Sequence, residues 1–480
     1  MPLGDEVRPS LWKRLALGAA LVIFASASAT AVAAFREVDR VVNALRVQPE
    51  LKLGTDVAKT EPGKPQTIML LGSDKRPKGN VEGAATDARS DTIILVRLDP
   101  KKKATALMSL PRDLKVQIPG HGTDKINAAY EKGGPRLTLK TVKELTGLRI
   151  NHVINVDFRS FYAGVNALGC VYTDVDRRYF NNTAQFAYIN VPAGYQRLCG
   201  REALQYVRFR YEDNDLVRSA RQQDFLRQAK QQVGVGKLIG DRGKLVKIFG
   251  KYTSSDIRNR AEVLRIVKLA VGSIDQPVRE VHFEGKIGAS FVTADSSSVR
   301  KLAKQFLGVE ETPGPRGELR PKGRRKKQRS GGGTGNLEDA TAAGRDQALQ
   351  AVQQGAGKGL PVLYPTMRTR GSLFAGPPRV YRLKTRSGRS YGSYRMVIKR
   401  GRVGEYYGLQ ATRWMDAPIL ENPSEKRRIG KRTYELHYDG DRLRLVAWRT
   451  RKVVYWVSNT LLQSLSEREM LAIARSTKAL

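Results

Sequence analysis

Residues 208–225, RFRYEDNDLVRSARQQDF, place four arginines among four acidic residues. A guanidinium presents a planar fork that binds phosphate oxygens in pairs, and it keeps its charge. Arg208 and Arg210 point the same way if the chain is extended, and Arg218 and Arg221 share a face if it is helical. Cations this close repel one another unless anions lie between them. The segment is therefore either a phosphate site or an exposed ion-pair network of little energetic worth, with the local acids as partners.

Polar residues also stand at the ends of three predicted strands. Asp74 lies in LLGSDKR, Arg89 and Asp91 lie in DARSDTI, and Arg112 lies in SLPRD. Ligand sites form at strand ends in open α/β sheets. Two carboxylates on adjacent strand ends, Asp74 and Asp91, suit Mg²⁺, which binds one or two carboxylates together with phosphate oxygens and water. A lone aspartate at such a place usually caps a helix or ends a strand, so the acid pair beside arginines is what favours a metal site.

Motif spacing excludes several other chemistries. The four histidines show no HExxH-type zinc motif. GVGKL (234–238) and RGKL (242–245) lack the first glycine and the final Ser or Thr of a phosphate-binding P-loop. A GxSxG nucleophile elbow is absent from the sequence. The arginine and aspartate blocks are therefore the candidates for chemistry.

The segments that position these blocks predict an α/β domain over residues 64–310. Short apolar runs rich in β-branched residues indicate strands buried on both faces. Helical patterns alternate with them, so we expect a central sheet flanked by helices. The predicted strands are 67–72, 91–99, 103–113, 152–157 and 278–285, and the predicted helices include 135–148, 158–169, 218–233 and 261–274.

The N-terminal segment predicts export. Residues 15–35 are 21 consecutive uncharged positions, enough for a helix to span a bilayer core of about 30 Å. Arg8, Lys13 and Arg14 precede the run and predict a cytoplasmic N-terminus at residues 1–14. A cleaved secretory signal is the alternative, because ASASATA suits a signal peptidase, although the run exceeds the usual apolar length of about 7–15 residues. Both interpretations place the remainder of the chain outside the membrane.

The regions on either side of the α/β domain differ from it in composition. Residues 36–63 predict a stalk, and residues 311–354 predict a flexible linker. The linker run PKGRRKKQRSGGGTGN joins six basic residues to a glycine run, and it has too little apolar content to offset its chain entropy by burial. Residues 355–480 predict a small antiparallel sheet closed by a helix, with an Asp-Gly hairpin turn at 439–440 and a capping box at 466–469. The absence of an acid, histidine or cysteine cluster indicates a binding or spacer module.

Charge and cysteine content restrict the partners and the compartment. The formal net charge of +39 favours polyanionic partners, which are nucleic acid, anionic lipid headgroups or acidic polymers. The predicted export disfavours nucleic acid. The two cysteines, Cys170 and Cys199, are compatible with one disulfide in an oxidising compartment, and two isolated buried cysteines are the alternative.

Taken together, these blocks resemble the LytR-CpsA-Psr family of cell-wall glycopolymer ligases. The resemblance covers residues 66–233 and depends on IMLLGSDKR, ARSDTIILVRLDP, SLPRD, DKINAAYEKGGP and REALQYVRFRYEDNDLVRSARQQDF in consistent order. It implies an α-β-α sandwich with a pocket for a polyprenyl phosphate or pyrophosphate lipid. It also implies transfer of a lipid-linked glycopolymer onto a peptidoglycan hydroxyl, with a phosphodiester formed and Mg²⁺ or Mn²⁺ as cofactor.

The resemblance also implies roles for residues by position. Asp74 and Asp91 match the acids that hold the metal, and Asp215 matches an acid that orients arginines. Lys125 is a further candidate for the phosphate region. Arg112, Arg208 and Arg210 are expected in catalysis with Asp215. The full set of arginines that match positions around the pyrophosphate is Arg89, Arg112, Arg208, Arg210, Arg218 and Arg221.

Other features extend the resemblance or depart from it. Cys170 and Cys199 resemble a cysteine pair of actinobacterial members, which supports the disulfide. The inserted KGNVEGAATDA lengthens the spacing between Asp74 and Asp91, so Asp87 competes as a metal ligand. The C-terminal domain does not match the family's common extension. A pyrophosphatase acting on the same lipid and a non-enzymatic wall-binding or regulatory protein are the alternative functions.

Overall fold

The chain is described here by a computed structural model. The model describes residues 50–73, 90–99, 105–183, 188–210, 213–232, 253–308 and 336–480, together with residues 36, 39–43, 46, 101 and 248. Within the longer ranges, the residues that are not described are 60, 62, 274, 275, 277, 284, 358, 402–404, 440 and 441.

In the N-terminal domain (residues 50–308) the apolar runs form strands, and the segments of helical periodicity form helices. The strands are β1 (Gln66–Ser73), β2 (Ser90–Leu98), β3 (Thr105–Leu110), β4 (Lys115–Ile118), β5 (Gly122–Lys125), β6 (His152–Asp157), β7 (Val171–Val175), β8 (Tyr179–Asn181), β9 (Ile189–Val191), β10 (Gly194–Leu198), β11 (Thr253–Ser255), β12 (Val278–Val281), β13 (Lys286–Ile287) and β14 (Val292–Thr293). The helices are α1 (Ala128–Thr146), α2 (Phe158–Ala167), α3 (Gly200–Arg208), α4 (Asp215–Gln232), α5 (Arg260–Gly272) and α6 (Ser296–Leu307), and a short 3₁₀ turn spans Gly54–Asp56.

Six of these strands form a mixed central sheet in the order β11-β6-β1-β2-β3-β12. β1 runs parallel to β6 and antiparallel to β2, and β3 runs antiparallel to β2 and parallel to β12. Met69 and Leu71 of β1 enter a core that includes residues of α1 and α6, whereas Ile68 packs with Leu269 of α5 on the other face. Because both faces of the sheet are covered by apolar cores, the sequences of its strands are uninterrupted apolar runs. The predicted mixed α/β domain with a central sheet is confirmed.

Part of the predicted stalk packs against this domain. Leu53 is 2% exposed and belongs to the same core as Met69. The backbone N–H of Ala58 donates to the carbonyl of Ile150 at 2.8 Å. The prediction of a free stalk over residues 36–63 was therefore wrong for these positions. A few isolated apolar side chains are enough to hold an irregular segment on a core, and they leave no periodicity in the sequence.

The predicted membrane anchor is not described. Residues 1–35 and the basic run at 321–335 lie outside the described residues. Within the part of the chain that is described, every helix is too short or too polar to cross a membrane.

The C-terminal domain (residues 336–480) is an antiparallel sheet with two helices. Its strands are β15 (Leu337–Asp339), β16 (Leu363–Tyr364), β17 (Met367–Thr369), β18 (Ser372–Phe374), β19 (Arg379–Lys384), β20 (Ser390–Arg400), β21 (Tyr406–Thr412), β22 (Glu425–Ile429), β23 (Arg432–Asp439), β24 (Arg442–Arg449), β25 (Val454–Ser458) and β26 (Lys478–Ala479). Its helices are α7 (Thr341–Gln353) and α8 (Glu467–Arg475), with a 3₁₀ turn at Pro418–Leu420.

The main sheet of this domain has eight strands in the order β18-β20-β21-β25-β24-β23-β22, with β19 also paired to β20. The predicted capping box is present, because the Ser466 and Glu469 side chains each bond the other's backbone N–H. The predicted start of the domain at residue 355 was wrong. β15 pairs with β17 and α7 contributes Ala348 and Ala351 to the domain core, so residues 337–353 belong to the domain and not to the linker.

The two domains meet along the β7–β10 ladder. Tyr172 of β7 and Tyr195 of β10 are buried in one core with Trp456 of β25. Asp174 of β7 accepts the Trp456 indole N–H at 3.4 Å and pairs with Arg395 of β20 at 3.4 Å. The junction therefore combines a buried aromatic core with a buried ion pair.

Cys170 and Cys199 form a disulfide, with Cα atoms 4.4 Å apart, which confirms the predicted pairing. Cys170 directly precedes β7 and Cys199 directly follows β10, and Val171 pairs with Leu198 in the ladder between them. The disulfide therefore closes one end of the ladder that contacts the C-terminal domain.

At the other end of the ladder, Gly194 allows the close approach of the two domains. Its φ of +104° is unfavourable for a side chain, and a Cβ there would lie 2.7 Å from the Tyr381 hydroxyl. That hydroxyl donates to the carbonyl of Tyr195 at 2.9 Å. A larger residue at this position would push β19 away from β10.

Candidate functional site

A cavity of about 210 Å³ brings together residues from four separate parts of the N-terminal domain. We call it the arginine cavity. Two of its lining residues follow β3, one ends β5, five surround the start of α4, and the rest form the β13–β14 turn. Its lining residues are Arg112, Asp113, Lys125, Arg210, Asp213, Asn214, Asp215, Arg218 and residues 287–292.

The start of α4 is fixed by its own sequence. The Asn214 side chain accepts a hydrogen bond from the Val217 backbone N–H at 3.0 Å, as a helix cap does. Asp215 is the first residue of the helix, where a carboxylate is stabilised by the exposed N–H groups. The cap therefore sets the position of Asp215 at the edge of the cavity.

The Asp215 carboxylate holds two arginines together. Its Oδ1 lies 2.8 Å from Nη2 of Arg218 and 3.5 Å from Nε of Arg112. Its Oδ2 accepts the backbone N–H of Asp113 at 3.0 Å. Arg218 is 3% exposed, so this carboxylate compensates the charge of a buried cation. That Asp215 orients arginines stays a prediction, and this geometry places its carboxylate beside two of them.

Lys125 and Asp113 form a second ion pair in the cavity, with Nζ 3.0 Å from Oδ1. The ammonium of Lys125 also lies 5.8 Å from the centroid of the Phe291 ring, and Lys115 lies 5.6 Å from the same ring. Phe291 therefore confines the lysine side chain on the β13–β14 side of the cavity. Asp113 belongs to the SLPRD block that the sequence singles out, although no role was predicted for it, and Phe291 was not predicted at all. Asp113 adjoins the predicted Arg112, but Phe291 gives no signal in the sequence.

Arg208 and Arg210 have different surroundings. Arg208 is the last residue of α3, and its guanidinium carbon lies 3.9 Å from the centroid of the Phe158 ring. Arg210 is exposed and lines the arginine cavity. The condition for a shared direction, an extended chain, is not met, because the chain is helical up to Arg208 and becomes extended only at Phe209.

Arg221 lies behind the cavity. It is fully buried, pairs with Asp213 and donates to the Phe209 carbonyl at 2.5 Å. Its guanidinium carbon is 4.7 Å from the ring centroid of Tyr179. Burial opposes the charged form, but the adjacent Asp213 carboxylate raises the pKa of Arg221 above its ordinary value. Arg221 and Arg218 therefore have different surroundings although they are three residues apart.

The predicted metal ligands are only partly described. Asp74 and Arg89 lie outside the described residues, and for Asp91 the backbone alone is described, in β2. β1 and β2 pair with Gly72 opposite Thr92 and Ser73 opposite Ser90, so Asp91 lies beside the residues that directly precede Asp74. The Gln222 amide of α4 donates to the Thr92 hydroxyl at 3.1 Å, which places this strand end against the helix that bears Arg218.

A different group of possible metal ligands lies at the domain junction. Ligand atoms of Glu280, His282 and Asp439 lie within 4.8 Å of one another. Glu280 already pairs with Nε of Arg227 at 2.7 Å, and Asp439 accepts from the Gln463 amide at 3.0 Å. Each of these carboxylates therefore already has a partner within its own domain.

Known proteins resemble this chain over its N-terminal half. A polyisoprenyl-teichoic acid–peptidoglycan teichoic acid transferase TagU of Oceanobacillus iheyensis is 34% identical over 200 residues, which are 40% of this chain and 58% of the relative. The transferase TagT of Bacillus subtilis is 38% identical over 173 residues, 35% of this chain and 52% of the relative. The chain thus spans about half the length of the curated relatives it matches.

Solved structures give a weaker match. A structure described as TagT bound to LIIa-WTA has a TM-score of 0.43 and 24% identity, and the match covers 54% of this chain and 98% of that one. A TagT structure described with bound octaprenyl pyrophosphate lipid has a TM-score of 0.40 and 23% identity, with the same coverage. The match to the family model is more extensive: residues 24–306, more than half of the chain, match the LytR_cpsA_psr family, and the chain belongs to this family.

Proposed function

We propose that the chain is a transferase that moves a glycopolymer from a polyprenyl pyrophosphate lipid onto peptidoglycan. The names of the relatives, which are teichoic acid–peptidoglycan transferases, support this class of reaction. The observation on which the proposal depends is that one carboxylate, Asp215, holds Arg112 and Arg218 at a cavity that Arg210 and Lys125 also line. The family's α-β-α sandwich would be the scaffold of this site.

The proposed reaction is a substitution at phosphorus. A peptidoglycan hydroxyl oxygen forms a bond to the phosphorus that bears the glycopolymer. The bond from that phosphorus to the bridging oxygen breaks, polyprenyl phosphate leaves, and the hydroxyl proton passes to a base. The product is a phosphodiester between polymer and wall. Such a reaction requires little covalent work from a protein, and it depends on fixed cations and an aligned nucleophile.

The arginine cavity has the groups that such a reaction needs. Arg112 and Arg218 are already held in place by Asp215, so they need little reorganisation when phosphate charge develops. Arg210 is exposed, so its side chain is suited to contact the substrate first. Lys125 adds a point charge opposite the arginines. Together they would compensate the pyrophosphate and stabilise the leaving phosphate.

A divalent metal is proposed beside these cations. Asp74 and Asp91 would hold Mg²⁺ or Mn²⁺, since two carboxylates at neighbouring strand ends are the oxygen donors that these ions prefer. The register of β1 and β2, which puts Asp91 beside the residues before Asp74, supports this assignment. When bound, the ion would neutralise phosphate charge. One of the two carboxylates is also a candidate for the base, although a metal-bound acid is a poor one.

The proposed location is the outer face of a cell membrane. Residues 15–35 would anchor the chain as a single helix, with residues 1–14 in the cytoplasm and the arginine cavity outside. This topology is consistent with peptidoglycan as the acceptor and with a lipid-linked donor. It also makes nucleic acid an unsuitable partner for the large positive charge.

Transfer can be tested with the purified full chain in detergent, a radiolabelled polyprenyl-pyrophosphate-linked glycopolymer and isolated peptidoglycan. We expect label to enter peptidoglycan as polyprenyl phosphate is released. Arg112→Ala should slow this by about 100-fold or more, as when a preorganised donor is removed. Arg136→Ala is the matched control, because Arg136 is exposed and pairs with Asp56 far from the cavity.

Two results would contradict the proposal. Release of polyprenyl phosphate without labelling of peptidoglycan would indicate a pyrophosphatase. Transfer at the wild-type rate by the Arg112→Ala variant would exclude the arginine cavity as the reaction site.

A further inference from the structure

A second and larger cavity lies between the two domains. Its volume is about 580 Å³, and we call it the interdomain cleft. The N-terminal domain contributes residues around β8 and β9, and the C-terminal domain contributes the end of α7, the β18–β19 connection, β20 and β21. The lining residues are Arg177, Arg178, Asn190, Pro192, Ala193, Gln354, Ala375, Pro377, Pro378, Arg379, Arg395, Val397 and Tyr406.

The charged side chains in the described lining of the cleft are all positive. Four of its lining residues are arginines, and acidic residues are missing from the described lining. Both domains contribute, with Arg177 and Arg178 from the N-terminal domain and Arg379 and Arg395 from the C-terminal domain. Such a concentration of guanidinium groups in a concave surface favours anions, especially those with several phosphate or carboxylate oxygens.

Arg395 provides the most specific evidence for a ligand. It is 0% exposed, and its Nη1 lies 3.4 Å from Oδ1 of Asp174. Its Nε and Nη2 have no hydrogen-bond partner among the described residues. A buried charged donor without a partner is costly, and Arg395 lines the cleft, so an anion bound there would offset part of that cost.

The other arginines are accessible at different depths. Arg178 is exposed, with Nε 3.1 Å from the Asn190 amide oxygen. Arg379 is half-buried, its Nη1 donates to the Ala193 carbonyl at 2.5 Å, and its guanidinium lies 4.1 Å from the Tyr381 ring centroid. These contacts fix the planes of both guanidinium groups, which reduces the conformational entropy that an anion would have to overcome.

The cleft also has an apolar wall. Pro192, Pro377, Pro378, Val397 and Tyr406 line it beside the arginines. Sites for small molecules and sugars combine apolar surface with a few placed polar groups. The non-polar faces of sugar rings could pack on this wall while charged substituents contact the arginines. A free phosphate ion would use only a small part of the volume.

The cleft is linked to two other cavities, to one through a buried ion pair and to the other through a shared residue. Arg177 in its wall pairs with Asp213, which lines the arginine cavity. Gln354 at its other side also lines a cavity of about 690 Å³ on the C-terminal domain. That cavity contains Arg382, Arg413 and Lys452, and its described lining likewise lacks acidic residues. Basic residues without acidic neighbours in the described lining therefore occur in two adjoining cavities, one of them between the domains.

We propose that the interdomain cleft binds the polymer part of the substrate, as an anionic glycan chain whose phosphate groups contact Arg178 and Arg379, with the buried Arg395 adding positive charge to the wall. This inference depends on the proposed function, because it assumes that the substrate is a glycopolymer. It gives the C-terminal domain a role: the domain completes a polymer-binding surface that the N-terminal domain alone lacks.

The test measures binding without lipid or peptidoglycan. The probe is poly(glycerol phosphate), titrated into the purified full chain in detergent by calorimetry. The double variant Arg178→Ala/Arg379→Ala should bind the probe at least about tenfold more weakly, the loss expected for one or more charge-assisted hydrogen bonds. Arg428→Ala is the matched control, because this exposed arginine lies on β22 at the opposite edge of the sheet. The control should bind as the wild type does.

Three results would overturn the inference. The first is no binding of the probe by the wild type, and the second is equal binding by the double variant. The third is inorganic phosphate binding as tightly as the polymer, since the cleft would then be a small-anion site. Because this assay involves no transfer, a failure of the proposed transfer reaction would be seen separately in the peptidoglycan labelling assay.

Discussion

Nη2 of Arg177 lies 2.7 Å from Oδ1 of Asp213, and this pair connects the interdomain cleft with the arginine cavity. The other carboxylate oxygen of Asp213 pairs with Arg221. The Asp213 side chain is fully buried, so one carboxylate compensates two buried guanidinium groups. The turn that begins α4, and with it Asp215, is therefore anchored to the part of the molecule that contacts the C-terminal domain.

Asp213→Asn should destabilise the protein strongly. The substitution leaves Arg177 and Arg221 without their compensating charge, and breaking a buried pair in this way costs about 3–5 kcal/mol of unfolding free energy. The measurement is urea denaturation followed by tryptophan fluorescence. Asp346→Asn, an exposed substitution on α7, is the control and should change the unfolding midpoint little. A loss below about 1 kcal/mol would show that the buried pair is unimportant for stability.

Asp176 should give stability a dependence on acid pH. Burial raises the pKa of Asp176 from 3.8 to about 6, although the Tyr179 hydroxyl donates to its Oδ1 at 2.6 Å. Between these two pH values the folded protein holds a proton that the unfolded chain has lost. Stability should therefore fall as pH rises from about 4 to about 6, by about 3 kcal/mol, and stay constant above that range.

The variant Asp176→Asn tests this assignment. An amide cannot ionise but can still accept the Tyr179 hydrogen bond, so the variant should be more stable than the wild type at pH 7 and similar at pH 4. The measurement is the unfolding midpoint of the variant and of the wild type at both pH values. Equal pH profiles for variant and wild type would contradict the prediction.

Arg218→Lys and Arg221→Lys should have different effects. Arg218 lines the arginine cavity, so loss of its planar fork should slow glycopolymer transfer by about tenfold or more while lysine keeps the ion pair with Asp215. Arg221 lies behind Asp213 in an aromatic environment, so its replacement should lower the unfolding midpoint and slow transfer less. Transfer assays and thermal unfolding of both variants provide the comparison. The reverse order of effects on transfer would place Arg221 in the site instead.

Divalent metal binding should depend on Asp74 and Asp91. Mn²⁺ binding, measured by electron paramagnetic resonance, should weaken by about tenfold or more in Asp91→Asn and in Asp74→Asn, because each removes one carboxylate ligand. Asp346→Asn again serves as the control. Chelation of divalent metal should also slow transfer. Wild-type Mn²⁺ affinity in both variants would refute the assignment, and retained affinity in Asp74→Asn alone would favour Asp87 as the ligand.

The sequence predicted the parts of the fold that depend on local patterns. Uninterrupted apolar runs gave the central strands, since both faces of the sheet are covered. The capping box at Ser466 was predicted from short-range side-chain chemistry. The helix predicted over residues 218–233 begins earlier, at Asp215, where the Asn214 side chain caps it. The packing of Leu53 and the inclusion of α7 in the C-terminal domain were missed, because they depend on contacts between distant segments.

The candidate site was likewise predictable where it depends on local patterns. Arg112, Asp215 and Arg218 share a cavity as expected, because each lies at the end of a strand or helix. Arg221 differs from Arg218 because three residues along a helix rotate a side chain by about 60° from perfect alignment, enough to move it from a cavity wall into a core. Arg395 contacts Asp174 across 221 positions of sequence, and no local pattern could have predicted that pair.

The disulfide between Cys170 and Cys199 has a consequence for how the two domains stay together. It links the strands that bear Tyr172, Asp174 and Tyr195, which are the residues that the C-terminal domain contacts. Reduction would leave this two-stranded platform free to fray at one end, so the domain junction would loosen before either hydrophobic core melted. The redox state of the surroundings would then influence how firmly the C-terminal domain is held.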